Sequence, residues 1–435
     1  MTIAKDRPAF TGVPSRVSTD RYTSSTFALR EARQLWSRVW QMACRLEEIP
    51  EVGDYLEYVI ADQSYLVVRA DDRTVKAYSN ACRHRGTQLK QGRGHAAEFR
   101  CSFHAWCWEL TGECREITDP ADFGDPDLSE LALPECRVAL WGGFVFINPD
   151  PNAADFEPWI KPVDDDCDPY RLADMRYVSV LSTVVPANWK VSVEAFIESY
   201  HIFATHPQVS AATDGSYATF ECAGDHGLMV VPMGRSSARL DLADESEVID
   251  QMVESMMVLA QMPRDQVSRL RRIADGEEEL GETPLRDVFI AMGKERAVER
   301  GYDDPRYTAS QYWDQHEWHV FPNLVLGLIP GEMFGFRFRP DGLNPDSSIF
   351  EVLSMRFPQG EAKPATVVEV TYTRDPEEAR AAFGPILHQD FANLEKVQRG
   401  LHSASLSHTT ISGYQEQLIA HMHRTINRYL GEGDE

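Results

Sequence analysis

The chain has 435 residues, and its 43 Lys and Arg against 68 Asp and Glu give a formal net charge of −25, the wrong sign for a nucleic-acid or anionic-membrane partner. A hydrophobic fraction of 43% marks a globular chain of two or three domains, and no apolar run approaches the ~18 residues of a membrane-spanning helix. Residues 1–14 hold no apolar signal-peptide core, so the expectation is a soluble, cytoplasmic protein.

In chain order, 26–42 carries Phe27, Leu35, Trp36, Val39 and Trp40 at helical spacing and predicts an amphipathic N-terminal helix within a segment 1–42. From Gly53 the period changes. Segments 54–60, 64–69, 74–79 and 137–147 are short, rich in Tyr, Val, Leu and Phe, and bounded by Gly, Asp and Asn, predicting an all-β unit over 43–155. The unit ends at Asn148-Pro149-Asp150-Pro151, and the stretch that follows, to Pro169, is rich in Pro and Asp and reads as a linker into an α+β remainder over 156–435. Within it, 187–206 is predicted helical. Residues 243–300 hold several helix signals: the stripe Val248, Met252, Met256, Leu259, then Pro263, then Thr283 as N-cap before Pro284. Strands are predicted at 318–329 and 366–373, and closing helices at 376–400 and 412–430.

All eight cysteines lie in the first 222 residues, and without a secretion signal they are expected as thiols or metal ligands. Two loops of the β unit each offer one thiolate and one imidazole: Cys82–Arg83–His84 and Cys101–Ser102–Phe103–His104, with 16 residues between His84 and Cys101. Such a set can hold zinc or a two-iron cluster. Zinc fingers usually group cysteines in one pair and histidines in the other. One of each per loop suits a cluster whose first iron takes two thiolates and whose second takes two imidazoles. Cys82-Arg83-His84-Arg85-Gly86 and Cys101-Ser102-Phe103-His104-Ala105-Trp106, with Phe99–Arg100 and Trp108 to Gly112 around them, resemble the two loops of a Rieske 2Fe–2S domain. The resemblance implies Cys82, His84, Cys101 and His104 as cluster ligands. Cys44, Cys107, Cys114, Cys136, Cys167 and Cys222 lack such a pattern and read as ordinary thiols.

Further on, Glu194, Glu198 and His201 fall at i, i+4 and i+7, one stripe of a helix. His206 is five residues after His201, about 140° round an ideal helix. The two imidazoles can share a metal only where the helix is distorted or ends between them; otherwise they are two unrelated histidines. Asn188-Trp189-Lys190, Glu194, Glu198-Ser199-Tyr200-His201 and His206 together resemble the mononuclear-iron motif of Rieske non-haem iron ring-hydroxylating oxygenases, large (alpha) subunit, and the likeness covers about residues 25–425. It implies His201 and His206 as ligands of a catalytic Fe(II), with Glu198 joining the two metal centres. That joining residue is more often Asp in the aromatic dioxygenases, and Glu is familiar among relatives that attack quaternary ammonium compounds. For the third ligand, Asp390 lies amid the apolar stripe Phe383, Ile386, Leu387, Leu394 and Val397, where an unpaired carboxylate carries a large desolvation penalty. Gln389–Asp390 and Val397 to Leu401 also resemble the family's third-ligand segment. Asp375 and Glu395 are the competitors, and His388 is expected as a polar neighbour.

The resemblance implies an α+β fold in which an all-β Rieske domain is inserted before a helix-grip (SRPBCC/START-like) catalytic domain with an antiparallel sheet. It implies a homotrimer of alpha subunits, with or without a beta subunit. The activity implied is that of a terminal oxygenase, which uses O2 to mono- or dioxygenate a hydrophobic aromatic or alicyclic substrate. No G-x-G-x-x-G loop follows a strand, so NAD(P)H is expected to be oxidised by a separate reductase, with or without a ferredoxin. Phe321, Leu324 and Phe336 are expected to line the pocket, whereas Met252, Met256, Met257, Leu259 and Met262 are expected as core packing. Two alternatives stand beside this. One is an N-demethylating or C–N-cleaving Rieske monooxygenase acting on a quaternary ammonium compound. The other is a Rieske electron-transfer protein without a catalytic iron.

Overall fold

In the computed structural model, strand β1 (Ser15–Ser18) leads into helices α1 (Asp20–Thr23) and α2 (Ser25–Gln34), the latter capped by the Ser24 hydroxyl, which accepts from Phe27 N. The structure describes residues 14–237, 239–240, 250–251, 253–254, 264–274, 277, 285–358 and 366–433. The predicted helix signals at Val248, Met252, Met256, Met257, Leu259, Met262, Pro263 and Thr283–Pro284 lie outside the described residues.

The N-terminal helix is shorter than predicted. It stops at Gln34, and the chain turns into strand β2 (Gln41–Arg45). The buried Gln41 amide closes that turn by donating to Trp36 O at 2.7 Å and Val39 O at 3.4 Å. Leu35, Trp36, Val39 and Trp40 are all buried, but from an irregular segment rather than one helical face.

The β unit continues through β3 (Asp54–Ile60), β4 (Gln63–Arg69), β5 (Val75–Ser79), β6 (Arg93–His95), β7 (Phe99–Arg100), β8 (Cys107–Trp108), β9 (Cys114–Glu116), β10 (Glu135–Trp141) and β11 (Phe144–Asn148). Seven of these form a sheet in the order β2-β11-β10-β5-β4-β3-β6, and β7-β8-β9 form a small second sheet. The predicted strand 137–147 is the β10–β11 hairpin, turned by Gly142 and Gly143.

The predicted linker holds helix α3 (Phe156–Cys167) despite Pro162 in its interior. Its Phe156, Ile160, Val163 and Cys167 recur at helical spacing and bury into a core shared with both sheets, which outweighs the proline.

The rest comprises β12 (Arg176–Val185), α4 (Trp189–Glu194), α5 (Ile202–Thr205), β13 (Thr219–Ala223), β14 (His226–Val231), α6 (Arg264–Ala274), α7 (Leu285–Glu299), β15 (Gln315–Val320), β16 (Leu324–Ile329), β17 (Glu332–Pro340), β18 (Ser348–Arg356), β19 (Thr366–Glu369), α8 (Pro376–Leu401), β20 (His408–Ile411) and α9 (Gln417–Leu430). An eight-stranded sheet runs β13-β14-β15-β16-β17-β18-β12-β19, antiparallel except for the β12–β19 pair. Alternation divides it into two faces. Trp318, Leu326 and Met355 join the core with α3 and β11, whereas Met229, Val325, Phe336 and Phe350 join the core with α4, α8 and α9.

Two guanidinium groups of β17 bridge the two sheets. The register of β2 against β11 shifts so that Ala43 bulges out of the ladder. Arg337 of β17 donates to Ala43 O at 2.8 Å and Met42 O at 3.2 Å, while Glu351 of β18 holds it at 2.6 and 2.8 Å. Beside it Arg339 donates to Val59 O and Glu351. No helix among the described residues is long and apolar enough to cross a membrane.

Candidate metal centres

The two cysteine–histidine loops share one turn. Gly86 N donates to Cys82 O and Ala105 N to Cys101 O, and both Gly86 and Ala105 take positive φ, 77° and 60°. These matched turns bring the buried Cys82 and Cys101 thiols within hydrogen-bonding reach of each other. The His84 and His104 ring centroids lie 4.6 Å apart, with His84 stacked on Trp106 at 4.9 Å. His84 Nδ1 is buried without a hydrogen-bond partner, an orphan donor or acceptor of the kind a metal satisfies. Two thiols and two imidazoles gathered this way fit a 2Fe–2S cluster with mixed ligands.

The predicted helix 187–206 is broken. It runs only to Glu194 and resumes for one turn at Ile202–Thr205, with His201 and His206 as the residues flanking that turn. The break has a local cause. Glu198 Oε2 accepts from the backbone N–H groups of Tyr200 and His201, replacing helical partners. Ser199 O is held against Gly215, where an added Cβ would fall 1.9 Å from that oxygen.

The break reorders the predicted stripe. Glu194 turns away to Tyr22 Oη at 2.9 Å and His423 Nε2 at 2.7 Å, and burial pushes its carboxyl up to about 8. Glu198 Oε1 takes His201 Nδ1 at 2.6 Å. The two imidazoles stand 5.3 Å apart between centroids.

Asp390 closes this site from α8, 4% exposed. Its Oδ1 is 2.9 Å from His206 Nε2 and 3.8 Å from His201 Nε2, and one donor atom from each of the three residues lies within 4.8 Å of the others. Gln389 Oε1 binds His206 Nδ1 at 2.8 Å, so both imidazoles are held at Nδ1 and turn Nε2 inward. Burial opposes a charged His201, yet Glu198, Asp390 and Glu317 outweigh it and raise the imidazole to about 9. A pocket that so favours positive charge, with two nitrogens and one carboxylate converging, fits a 2-His-1-carboxylate iron site.

The competing acids lie elsewhere. Asp375 caps α8 by accepting from Glu377 N and Glu378 N, and Glu395 pairs with Arg374 and Tyr372. His388 Nδ1 meets Gly384 O. Among the expected pocket residues, Phe336 sits on the α8-facing side, 4.3 Å from the Phe196 ring, and Phe321 stacks on Tyr429 of α9. Leu324 does not line this side: alternation along β16 puts it in the opposite core. Sequence reasoning missed Gln389 and Glu317. Glu317 had no sequence signal, because Gln315, His316 and His319 make its strand mixed rather than apolar.

The sequence pattern described as "Ring hydroxylating alpha subunit (catalytic domain)" matches residues 172–432, and that of the "Rieske [2Fe-2S] domain" matches 39–131. The chain is 34% identical over 185 residues to the glycine betaine monooxygenase oxygenase subunit of Chromohalobacter salexigens, covering 42% of this chain and 41% of that protein. It is 30% identical over 203 residues to the carnitine monooxygenase oxygenase subunit of Escherichia coli, covering 46% and 53%. It is 33% identical over 181 residues to the 2-aminobenzenesulfonate 2,3-dioxygenase alpha subunit of Alcaligenes sp., covering 40% and 45%. The matched stretches thus span about half the length of these relatives. Among solved structures, a quaternary ammonium Rieske monooxygenase with L-carnitine aligns at TM-score 0.64 and 18% identity over 96% of each chain. Naphthalene 1,2-dioxygenase with indole aligns at 0.64 and 18% over 98% of this chain and 94% of that one. The expected α+β order, a Rieske domain followed by a catalytic domain with an antiparallel sheet, is the fold these structures share.

Proposed function

Because the chain belongs to the ring-hydroxylating alpha-subunit family and carries a Rieske domain ahead of its catalytic domain, we propose that it is the terminal oxygenase of a multicomponent system. The observation that carries this is the convergence of His201, His206 and Asp390 in the same chain as the Cys82, His84, Cys101 and His104 loops. When bound, the cluster supplies single electrons and the ferrous ion supplies O2 activation. The chain's own residues set the rest. Glu198 and Gln389 keep the Nδ1 protons of His201 and His206 and so fix which nitrogens face the iron. The Phe196 and Phe336 rings, 4.3 Å apart, make the α8-facing side of the sheet apolar. This apolar side supports a hydrophobic aromatic or alicyclic substrate.

A second substrate class is supported by Glu198 in place of Asp and by relatives named for glycine betaine and carnitine. Here a methyl group of a quaternary ammonium compound is hydroxylated and leaves as formaldehyde. One oxygen atom enters the C–H bond, and the other becomes water with two electrons and two protons.

Electrons reach the chain from NAD(P)H through a separate reductase. Glu198 then joins His201 to His104 of the partner subunit, which makes a trimer the working unit. Phe103 beside His104 and Tyr200 beside Glu198 are 58% and 54% exposed, apolar surface suited to such a contact. Inter-subunit electron transfer is described for a quaternary ammonium Rieske monooxygenase.

Iron and sulfide analysis of anaerobically reconstituted protein tests the proposal. Three irons and two sulfides per chain are expected. Two irons would leave the electron-transfer alternative standing. Product mass then separates the substrate classes: gain of two oxygens marks a cis-diol, and release of formaldehyde marks demethylation.

A further inference from the structure

The two histidines of the cluster loops reach the surface at two different rings. His104 lies 4.0 Å from Phe103, on the side that faces the partner subunit in the proposed assembly. His84 meets Phe123 edge to face at 5.6 Å, and Trp106, stacked on His84, meets the same ring at 5.3 Å. Trp106 is buried, whereas Phe123 is 45% exposed. The Phe123 ring is firmly placed. It ends a single turn, Pro120–Phe123, closed by Gly124 N donating to Ala121 O at 3.1 Å and Asp125 N to Pro120 O at 3.0 Å. The segment is pinned on either side, where the Thr118 hydroxyl donates to His104 O at 2.7 Å and Leu131 O accepts from Trp108 Nε1 at 2.9 Å.

The two rings differ in the charge around them. The Arg85 guanidinium lies over the Phe103 ring, 5.3 Å from its centre. Phe123 sits in the segment 117–134, which holds Asp119, Asp122, Asp125, Asp127 and Glu130 and no Lys, Arg or His. All five acids are exposed, and none has a cationic partner among the described residues. An exposed apolar ring rimmed by unpaired like charges is suited to a partner of opposite charge, since the rim steers the encounter and the ring supplies the contact.

We propose that the acidic lip around Phe123 is the docking surface for the electron donor, a reductase or ferredoxin that presents Lys and Arg around its own redox group. One electron passes from that reduced group to the 2Fe–2S cluster on the His84 side, with no bond made or broken, and leaves on the His104 side. The inference rests on the multicomponent reading, in which a separate protein reduces the cluster.

The probe is ferricytochrome c, a basic haem protein, with the cluster-loaded enzyme and no O2. Zero-length carbodiimide coupling joins its lysines to carboxylates, and peptide mass mapping should place the links within 117–134. Links concentrated elsewhere overturn the inference. So do links from 117–134 to a second copy of this chain without the probe, which would give the lip to the subunit contact. Stopped-flow oxidation of the reduced cluster by ferricytochrome c at low salt should slow about tenfold in Asp122→Lys. A net charge of −25 attracts a cation to the whole surface, so Asp72→Lys is the control, an exposed reversal at the end of the β4–β5 hairpin away from Cys82. It should stay within about twofold of wild type. Equal slowing in the two variants overturns the inference. Slowing of Asp122→Lys toward ferricyanide, an anion, also overturns it, because the substitution would then act on the cluster rather than on the encounter. A count of two irons per chain removes the oxygenase reading and leaves this surface standing, whereas three irons with links elsewhere removes only this inference.

Discussion

Gln389 and Glu198 do the same work on two different histidines, one with a neutral amide and one with a carboxylate. A polar partner at Nδ1 sets the tautomer and ring angle of a liganding imidazole, and its loss typically lowers metal affinity about 10–100-fold. Gln389→Leu should therefore release iron to a chelator at correspondingly lower concentration, with the cluster spectrum unchanged. Gln389→Glu, which keeps an acceptor, should recover most of the loss. Asp390→Ala should abolish mononuclear iron binding and product formation, while Glu395→Ala keeps both, because Glu395 is tied to Arg374 and Tyr372. Iron analysis of the two variants decides between them, and retained iron in Asp390→Ala would remove Asp390 from the ligand set. Asp390 was legible in sequence because a carboxylate in the middle of an apolar helical stripe violates the pattern around it. Gln389 was not, since an uncharged polar residue beside that stripe is ordinary. Its role exists only once His206 is brought to it.

At the level of elements, strands with bounded alternation were legible, and the segments between them were not. The strands from Asp54 to Ser79 match the sequence pattern to within about a residue. Helix α3 was hidden because Pro and Asp outvoted the apolar period of Phe156, Ile160, Val163 and Cys167, and burial reversed that vote. The segment 187–206 went wrong for the opposite reason. Its local period is helical, and the interruption comes from a side chain and from a distant glycine. Gly215→Ala isolates the second cause. A methyl group there collides with Ser199 O and must displace the turn that presents His201. The expected loss is about 1–3 kcal/mol of stability, read from the denaturant midpoint. Mononuclear iron should be depleted while the 2Fe–2S spectrum persists. A variant with full iron and unchanged midpoint would show that the turn has slack.

For the molecule as a whole, the joint between the sheets gathers three largely buried charges, Arg337, Arg339 and Glu351. Burial alone would push the Glu351 carboxyl up, but Arg337 and Arg339 hold it at about 2. A carboxylate depressed in the folded state contributes stability that is complete above its unfolded value near ~4.3 and is lost as pH falls through the folded value. Acid unfolding should therefore steepen between pH ~4.5 and ~2, and Glu351→Gln should flatten the curve in that window alone. A Glu351→Gln curve that parallels wild type from neutral pH to pH ~2 would dismiss the pair as the source. Arg337→Met should be harsher, about 3–5 kcal/mol, because it strands a buried charge and frees two carbonyls. The Ala43 bulge that offers those carbonyls also limits how the chain can be recombined with its relatives. A foreign cluster-bearing unit with perfect metal loops but an unbulged first strand would present Arg337 with a closed ladder. It would dock askew, and interchange of such units should follow the match at this joint rather than likeness around the metals.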